Sequence, residues 1–363
     1  MRITIKDLAR ASGVSPSTVS YVLNNGPKPV HEKTREHVLE VMRELDYHPS
    51  AIARAMSSKR MNTLCLVSGV WATPVINFYF AGLLQGVLAV AQSRGQSATI
   101  FPERNWPEVV RNFPILCDGR CDGLILTGVP AQENDFAVLQ HRHMPFVCIN
   151  SNITDPKTTC VDIDDLAAAY SMVTYLIEQG HRRIAILCGH DAVPCTGLRL
   201  QGYRQALRDA AIDPEEPLIL PGRYSEQSGY DSTLKLMLDP DIEAPTALFC
   251  MQDGIAFGAL RALTALKLRV PHNISVAGFD DIYPAQASQP PLTTVRQPLT
   301  QLGERASLML LAEIHDGVAP GRKEVLPTVL AIRETVSPPY GARSPAVSHM
   351  IARRRPRRHQ STR

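Results

Sequence analysis

Residues 5–25 read IKDLARASGVSPSTVSYVLNN, and how this stretch folds decides how the rest of the chain is read. Leu8 and Ala9 face inward from a first amphipathic helix that also carries Lys6 and Arg10. Gly13 interrupts the pattern, and only glycine takes the positive-φ corner of a helix-turn-helix without steric cost. Ser15 followed by Pro16 is a start signal for a second helix. The serine hydroxyl caps free amides, and proline at the first helical position has no N–H to leave unsatisfied. In the second helix Val19, Val22 and Leu23 share one face, which leaves Ser17, Thr18, Ser20 and Tyr21 pointing outward. Short polar side chains on an exposed helix suit base edges and phosphates better than a catalytic pocket. Spacing alone also fits a small helical hairpin on a protein surface.

The order Thr4-Ile5-Lys6-Asp7-Leu8-Ala9, Gly13-Val14-Ser15, Thr18-Val19-Ser20 and Val22-Leu23-Asn24-Asn25 resembles the N-terminal pattern of the LacI-type bacterial transcription regulators. The resemblance implies a helix-turn-helix headpiece over residues 1–48 that binds double-stranded operator DNA. Its candidate DNA contacts are Thr4, Lys6, Ser15, Pro16, Ser17, Thr18, Ser20, Tyr21 and Asn24. Tyr21 stands at a position where members of that family vary and often carry Arg, so the preferred bases do not carry over.

A chain of 363 residues is too long for one ordinary domain and suggests two or three. No apolar run is long enough to span a bilayer, and the N-terminus lacks a signal-peptide pattern, so a cytoplasmic protein is expected. The formal charge of +3 is unevenly spread. Residues 1–60 hold ten Lys/Arg against six Asp/Glu, residues 341–363 hold seven Arg and no acid, and the body between them is −8. An acidic body behind a basic front end fits a protein that meets DNA through its N-terminus. Of the eight cysteines, Cys65, Cys148, Cys188 and Cys250 sit in apolar strand-like runs, and only Cys117 and Cys121 are close together. Without paired Cys-x-x-Cys or Cys/His ligand spacing these read as buried free thiols, and neither a metal nor a cofactor is expected.

After the turn-rich Gly26-Pro27-Lys28-Pro29, a third helix is expected from near His31 to about Leu45, with Val38, Val41, Met42 and Leu45 on its inner side. Residues 49–56 are Ala-rich and helix-capable but too short to be stable alone, which suits a segment that orders on binding. The family resemblance makes residues 49–62 a hinge helix and linker. In that family the hinge pairs with its dimer mate and enters the minor groove, which makes Ala53, Arg54 and Met56 further candidate DNA contacts; an ordinary linker without DNA contact is the alternative. This chain carries Met56 where the family wedges a Leu between base pairs, and methionine is also an apolar wedge.

From residue 63 onward short apolar runs alternate with helical periods. Strands are expected at 63–68, 98–101, 123–127, 146–150, 183–188, 247–251 and 275–279, and helices at 77–94, 108–117, 134–141, 164–179, 197–210, 228–238 and 253–266. Such alternation argues for doubly wound parallel sheets covered by helices, a two-lobed α/β domain over residues 63–340. The resemblance extends to about residue 340 through Cys121-Asp122-Gly123-Leu124-Ile125, Gly180-His181-Arg182-Arg183-Ile184-Ala185, Gly278-Phe279-Asp280 and Leu292-Thr293-Thr294-Val295 with Gln297-Pro298. It implies a periplasmic-binding-protein-like effector domain with three crossings between lobes. The N-terminal lobe would be completed by a return near 293–325, and the last strand would rejoin the C-terminal lobe.

Open α/β sheets bind ligands beyond the carboxyl ends of their strands. That rule selects Asn150, the loop after Cys188, Asp253 and Asp280. Arg199 is a candidate bidentate clamp for a hydroxyl pair or a carboxylate, and Phe78, Tyr79 and Tyr224 are candidate apolar walls for a sugar face. The resemblance supports Arg199, Asp280, Asp253 and Tyr224 as cleft positions. Asp253 also reads as a cap for the helix behind it, Asp280 as a turn residue, Arg199 as a surface charge, and the Phe78-Tyr79 pair as core. The reading is therefore a regulator, most simply a repressor, that binds a near-palindromic operator as a homodimer and is controlled by a small molecule, a sugar or related metabolite. The competing reading is a sugar-acting α/β enzyme with a helical appendage. It lacks a P-loop, a dinucleotide glycine fingerprint and a metal set, and no nucleophile or acid–base pair stands at a usable spacing, so no catalytic residue is assigned. The Arg-, Pro- and Ser-rich residues 341–363 form a basic tail expected to be disordered. No leucine heptad of the kind that makes tetramers in some family members is present.

Overall fold

The computed structural model describes residues 3–24, 29–48, 60–68, 77–102, 106–129 and 135–339. Ala53, Arg54 and Met56 of the expected hinge, and the basic tail, lie outside the described residues. The chain divides into two compact units between Asn62 and Thr63.

The first unit contains α1 (Ile5–Ala11), α2 (Pro16–Asn24) and α3 (Glu32–Glu44). Thr4 and Asp7 close α1 reciprocally. The Thr4 hydroxyl accepts the Asp7 amide at 3.4 Å, and the Asp7 carboxylate accepts the Thr4 amide at 3.0 Å. Gly13 makes the corner at φ +64°, and Ser15 caps α2 by accepting the Thr18 amide at 3.1 Å. Leu8, Ala9, Val19, Val22, Val38, Val41 and Tyr47 form the core. Tyr47 is a core residue that the helical periodicity does not reach, because it lies past the end of α3. Arg35 of α3 donates to the Val22 carbonyl at 3.2 Å and so places a cation in the last turn of α2.

The second unit holds two six-stranded sheets. The first is made by β1 (Thr63–Ser68), β2 (Ser97–Pro102), β3 (Gly123–Thr127), β4 (Phe146–Ile149), β5 (Thr159–Ile163) and β11 (Lys323–Leu326), in the order β11-β5-β4-β3-β1-β2. The second is made by β6 (Ile184–Leu187), β7 (Ile219–Leu220), β8 (Ala247–Cys250), β9 (Ser275–Asp280), β10 (Thr293–Arg296) and β12 (Val329–Ala331), in the order β12-β10-β9-β8-β6-β7. All pairings are parallel except β12 with β10. Nearly continuous burial along β3, β4, β6, β8 and β9 is what sheets covered on both faces require.

The helices of the second unit, in chain order, are α4 (Phe78–Ser93), α5 (Trp106–Leu116), α6 (Ala137–His141), α7 (Asp165–Glu178), α8 (Pro194–Asp209), α9 (Glu226–Leu238), α10 (Asp253–Ala265), α11 (Tyr283–Ala287) and α12 (Leu299–His315). The chain leaves the first lobe after β5, since α7 packs on α8 and against β10 and β12. It returns after β10, since α12 packs on α4 and against β3, β4 and β5. It crosses a third time between β11 and β12. The return therefore begins at Gln297 and not at residue 293, because β10 still pairs with β9 of the second lobe. The strand β5 was missed by periodicity, since Thr159 and Asp162 interrupt its apolar run even though all five residues are buried.

Close helix approach ties the return to the first lobe. A Cβ on Gly86 of α4 would lie 2.0 Å from the Thr300 carbonyl oxygen, and one on Gly303 of α12 would lie 2.1 Å from that of Leu83. The two backbones touch through reciprocal glycines, a distance no larger residue permits.

Candidate functional site

In the first unit, the exposed surface of the helix-turn-helix carries Thr4, Lys6, Ser15, Pro16 and Ser17, whereas Thr18, Ser20 and Tyr21 are half-buried. Three of the candidate DNA contacts have local work. The Thr4 hydroxyl donates to Asp7 at 2.7 Å, and the Ser15 and Thr18 hydroxyls lie 2.8 Å apart. Capping takes these groups because the first amides of a helix have no intrahelical partner. Ser17 points outward from the first turn of α2, which contains no acidic side chain. Free amide dipoles there favour a phosphate oxygen. Asn24 closes α2.

In the second unit the strand ends converge on a polar cleft between the lobes. Asn150, just past β4, donates from Nδ2 to the Tyr79 hydroxyl at 2.7 Å and to Gln297 Oε1 at 2.8 Å. Gln297 passes the connection on, donating from Nε2 to Asp280 Oδ1 at 2.6 Å. The chain Tyr79–Asn150–Gln297–Asp280 runs from the first lobe, through the second crossing, to the end of β9. Two acceptors within it, Asn150 Oδ1 and Asp280 Oδ2, are buried without a hydrogen-bond partner. Asn150 and Asp280 have φ of 48° and 120°, and Asp281 follows at 57°. Backbone of this kind is uncommon outside glycine and is tolerated where surrounding contacts fix it. Here Asp281 is held by Arg296 and Arg333, each at 2.6 Å.

Burial pushes the Asp280 carboxyl up to about 7, while the nearby Arg199 and the Gln297 amide pull it back. Arg199, on α8, is itself buried. Its Nε donates to Asp165 at 2.8 Å and its Nη1 to the Met251 carbonyl at 2.5 Å, and its guanidinium lies 3.6 Å above the Phe279 ring. It is a paired cation stacked on an aromatic face, not an exposed helix charge. Tyr224 closes the other side, its hydroxyl 2.7 Å from Thr196 Oγ1 and 3.1 Å from Cys195 Sγ. A Cβ on Gly189 would sit 2.1 Å from the Tyr224 ring, so the glycine is what admits that ring.

Two expected ligand residues are placed differently. Asp253 is wholly buried with both oxygens engaged, Oδ1 by Thr294 Oγ1 at 2.6 Å and Oδ2 by the Ile282 amide at 2.9 Å. It neither caps α10 nor offers an oxygen to the cleft; it braces the ends of β9 and β10, and burial beside Asp280 drives its carboxyl well above the usual range. Phe78 is 47% exposed and lines an outer groove with Asp281, Tyr283 and Arg296. One residue's step turns a helix by about 100°, so Phe78 faces away when Tyr79 faces in. Sequence reasoning overlooked Asp165 and used Phe279 and Gln297 only as motif residues. Asp165 follows the illegible β5, whereas Gln297 was findable as the first residue after a strand end.

Residues 4–50 match the family model described as bacterial regulatory proteins, lacI family, and residues 173–336 match a periplasmic binding protein-like domain. The transcriptional regulator DegA of Bacillus subtilis is 32% identical over 93% of this chain and 99% of its own length. The transcriptional repressor PurR of Histophilus somni is 31% identical over 86% of this chain and 92% of its own. The chain belongs to the LacI family. Among solved structures, a lac repressor dimer bound to operator and an anti-inducer superimposes with a TM-score of 0.81 at 29% identity, covering 93% of this chain and all of that one. A complex of the regulator CelR with cellobiose gives 0.69 at 30% identity, covering 92% of this chain and all of that one.

As a LacI-family protein the chain is a DNA-binding transcription regulator with an effector-domain fold, not an enzyme. Its helix-turn-helix match spans α1, α2 and α3. Among the described residues no helix is long and apolar enough to cross a membrane, and no group of three or more His, Cys, Asp or Glu is arranged to hold a metal.

Proposed function

We propose that the protein is a cytoplasmic repressor that binds a near-palindromic operator as a homodimer and is controlled by a sugar or related polyhydroxylated metabolite in the cleft. The observation that carries the effector reading is the pair of unspent acceptors, Asn150 Oδ1 and Asp280 Oδ2, one on each side of the Gln297 crossing. A buried acceptor without a donor is costly, and adjacent ligand hydroxyls are donors of the right kind. A ligand satisfying both would bias the relation of the lobes, and with it the hinge over residues 49–62.

The dimer reading is supported by the outer face of α4, where Phe78, Ala81, Gln85 and Leu88 recur at helical spacing and are all exposed, with Tyr283 78% exposed across the groove from Phe78. A second copy of the chain is the occupant that also fits a two-fold operator. The DNA contacts would come from Lys6, Ser17 and Tyr21, with Thr4, Ser15, Thr18 and Ser20 nearer the backbone, and from Ala53, Arg54 and Met56 of the hinge.

Selection of binding sites from random duplex DNA, followed by release with sugars, nucleosides and related metabolites at fixed salt, tests the whole reading. Enrichment of a two-fold-symmetric site released by a sugar is the expected result. An enriched pool without two-fold symmetry would sink the dimeric operator, and release by nucleosides alone would sink the sugar. Met56→Gly is expected to weaken binding to the selected site far more than to random DNA; equal weakening of both would remove the hinge from the minor groove.

A further inference from the structure

A groove of about 490 Å³ on the second lobe belongs neither to the polar cleft nor to the outer face of α4. Lys267, Arg269 and His272 line it, with Leu260, Val270 and Pro290 as an apolar wall, and no acidic residue takes part. Among the described residues none of the three basic side chains pairs with a carboxylate. Two cations and an imidazole converge here although the body over residues 61–340 is net acidic.

The backbone beneath them is fixed. Lys267 sits at φ +58° where α10 ends, its amide bonded to the Thr264 carbonyl at 2.9 Å and that of Leu268 to Leu263 at 2.9 Å. Asn273 then clamps the turn from both sides: its Oδ1 accepts the Arg269 amide at 2.8 Å, and its own amide donates to the Arg269 carbonyl at 2.7 Å. The basic side chains therefore project from a preorganised turn, which lowers the entropy lost on capturing a ligand.

We propose that this groove is a second binding site, for a small phosphorylated metabolite. The size is that of small-molecule sites. A guanidinium fork, an ammonium and a ring N–H are donors suited to a phosphate or diphosphate, and the Leu260–Val270–Pro290 wall takes the less polar remainder. The site lies at the start of β9, the opposite end of that strand from Asp280.

Calorimetric titration of the full chain with inorganic pyrophosphate and with ADP at low salt tests the assignment. Saturable binding, weakened by added salt and weakened about tenfold or more by Lys267→Ala with Arg269→Ala, is the expected result, since one charge-assisted hydrogen bond accounts for roughly that factor. Thr264→Glu, which adds a carboxylate to the same groove, is expected to act in the same direction without deleting either cation. An absence of saturable binding by the unaltered chain overturns the proposal, as does equal affinity in the unaltered and substituted chains. Substitutions that change the oligomeric mass and leave pyrophosphate affinity unchanged assign the groove to a second copy of the chain and also overturn it.

Discussion

Asp280 concentrates the physical tension of the cleft. It is buried, its backbone lies in a region L side chains avoid, and one carboxylate oxygen has no partner. Because its folded value is raised to about 7, the folded state resists ionisation that the unfolded chain accepts at ordinary carboxylate values. The resulting stability is present in full only in acid and is lost as pH rises towards 7. Asp280→Asn is therefore expected to raise the melting temperature in ligand-free buffer, with a larger gain at pH 8 than at pH 5. A gain independent of pH would show that Asp280 is not held neutral by burial. If a ligand hydroxyl donates to the unspent oxygen, affinity for the effector would rise with pH through the same range, the opposite direction from stability. Arg199 offsets only part of this tension, because its hydrogen bonds go to Asp165 and the Met251 carbonyl and its charge alone acts on Asp280.

At the scale of elements, the α1-turn-α2 arrangement depends on two local devices, the caps and the corner. No atom lies within 4 Å of a Cβ built on Gly13, so its requirement is for φ +64° and not for space. Gly13→Ala is thus expected to lower the protection of α1 and α2 amides in hydrogen exchange by about 1 kcal/mol, the cost of placing an L side chain in left-handed backbone. Gly13→Asn should recover most of that loss, since Asn tolerates this region. Equal losses for both substitutions would show that Gly13 is needed for something other than its φ. The cleft elements follow a different logic: the strand ends present polar groups, and buried positioning groups such as Asp253 hold those ends in place.

In the molecule as a whole, the first lobe is closed by a segment that arrives more than 200 residues after its partner helix, as α12 settles on α4 through Gly86 and Gly303. Gly86→Ala must push a Cβ into the Thr300 carbonyl, and overpacking of this kind costs about 1–3 kcal/mol. A fall in melting temperature of about 5 °C is expected by calorimetry. Gly197 on α8 has open space around its Cβ position, so Gly197→Ala should instead stabilise slightly through helix propensity. Similar responses from the two would refute the close-approach account of the lobe.

What was legible in the sequence was local. The Gly13 corner, the Ser15-Pro16 start, the alternation of buried strands with helices, and the strand-end rule that found Asn150 and Asp280 all act within a few residues, where backbone sterics and periodicity decide. The same local rules misplaced Phe78, Asp253 and β5. A helix rotation, a carboxylate used as a brace and a strand interrupted by Thr159 and Asp162 are settled by what packs against them. The sequence by itself determined the helix-turn-helix and the doubly wound α/β class. Only the tertiary structure decided that Gln297 links Asn150 to Asp280 and that Arg199 is neutralised by Asp165. Those contacts join residues 17 to 147 positions apart in the chain, and no local pattern records which distant partner closes a hydrogen bond.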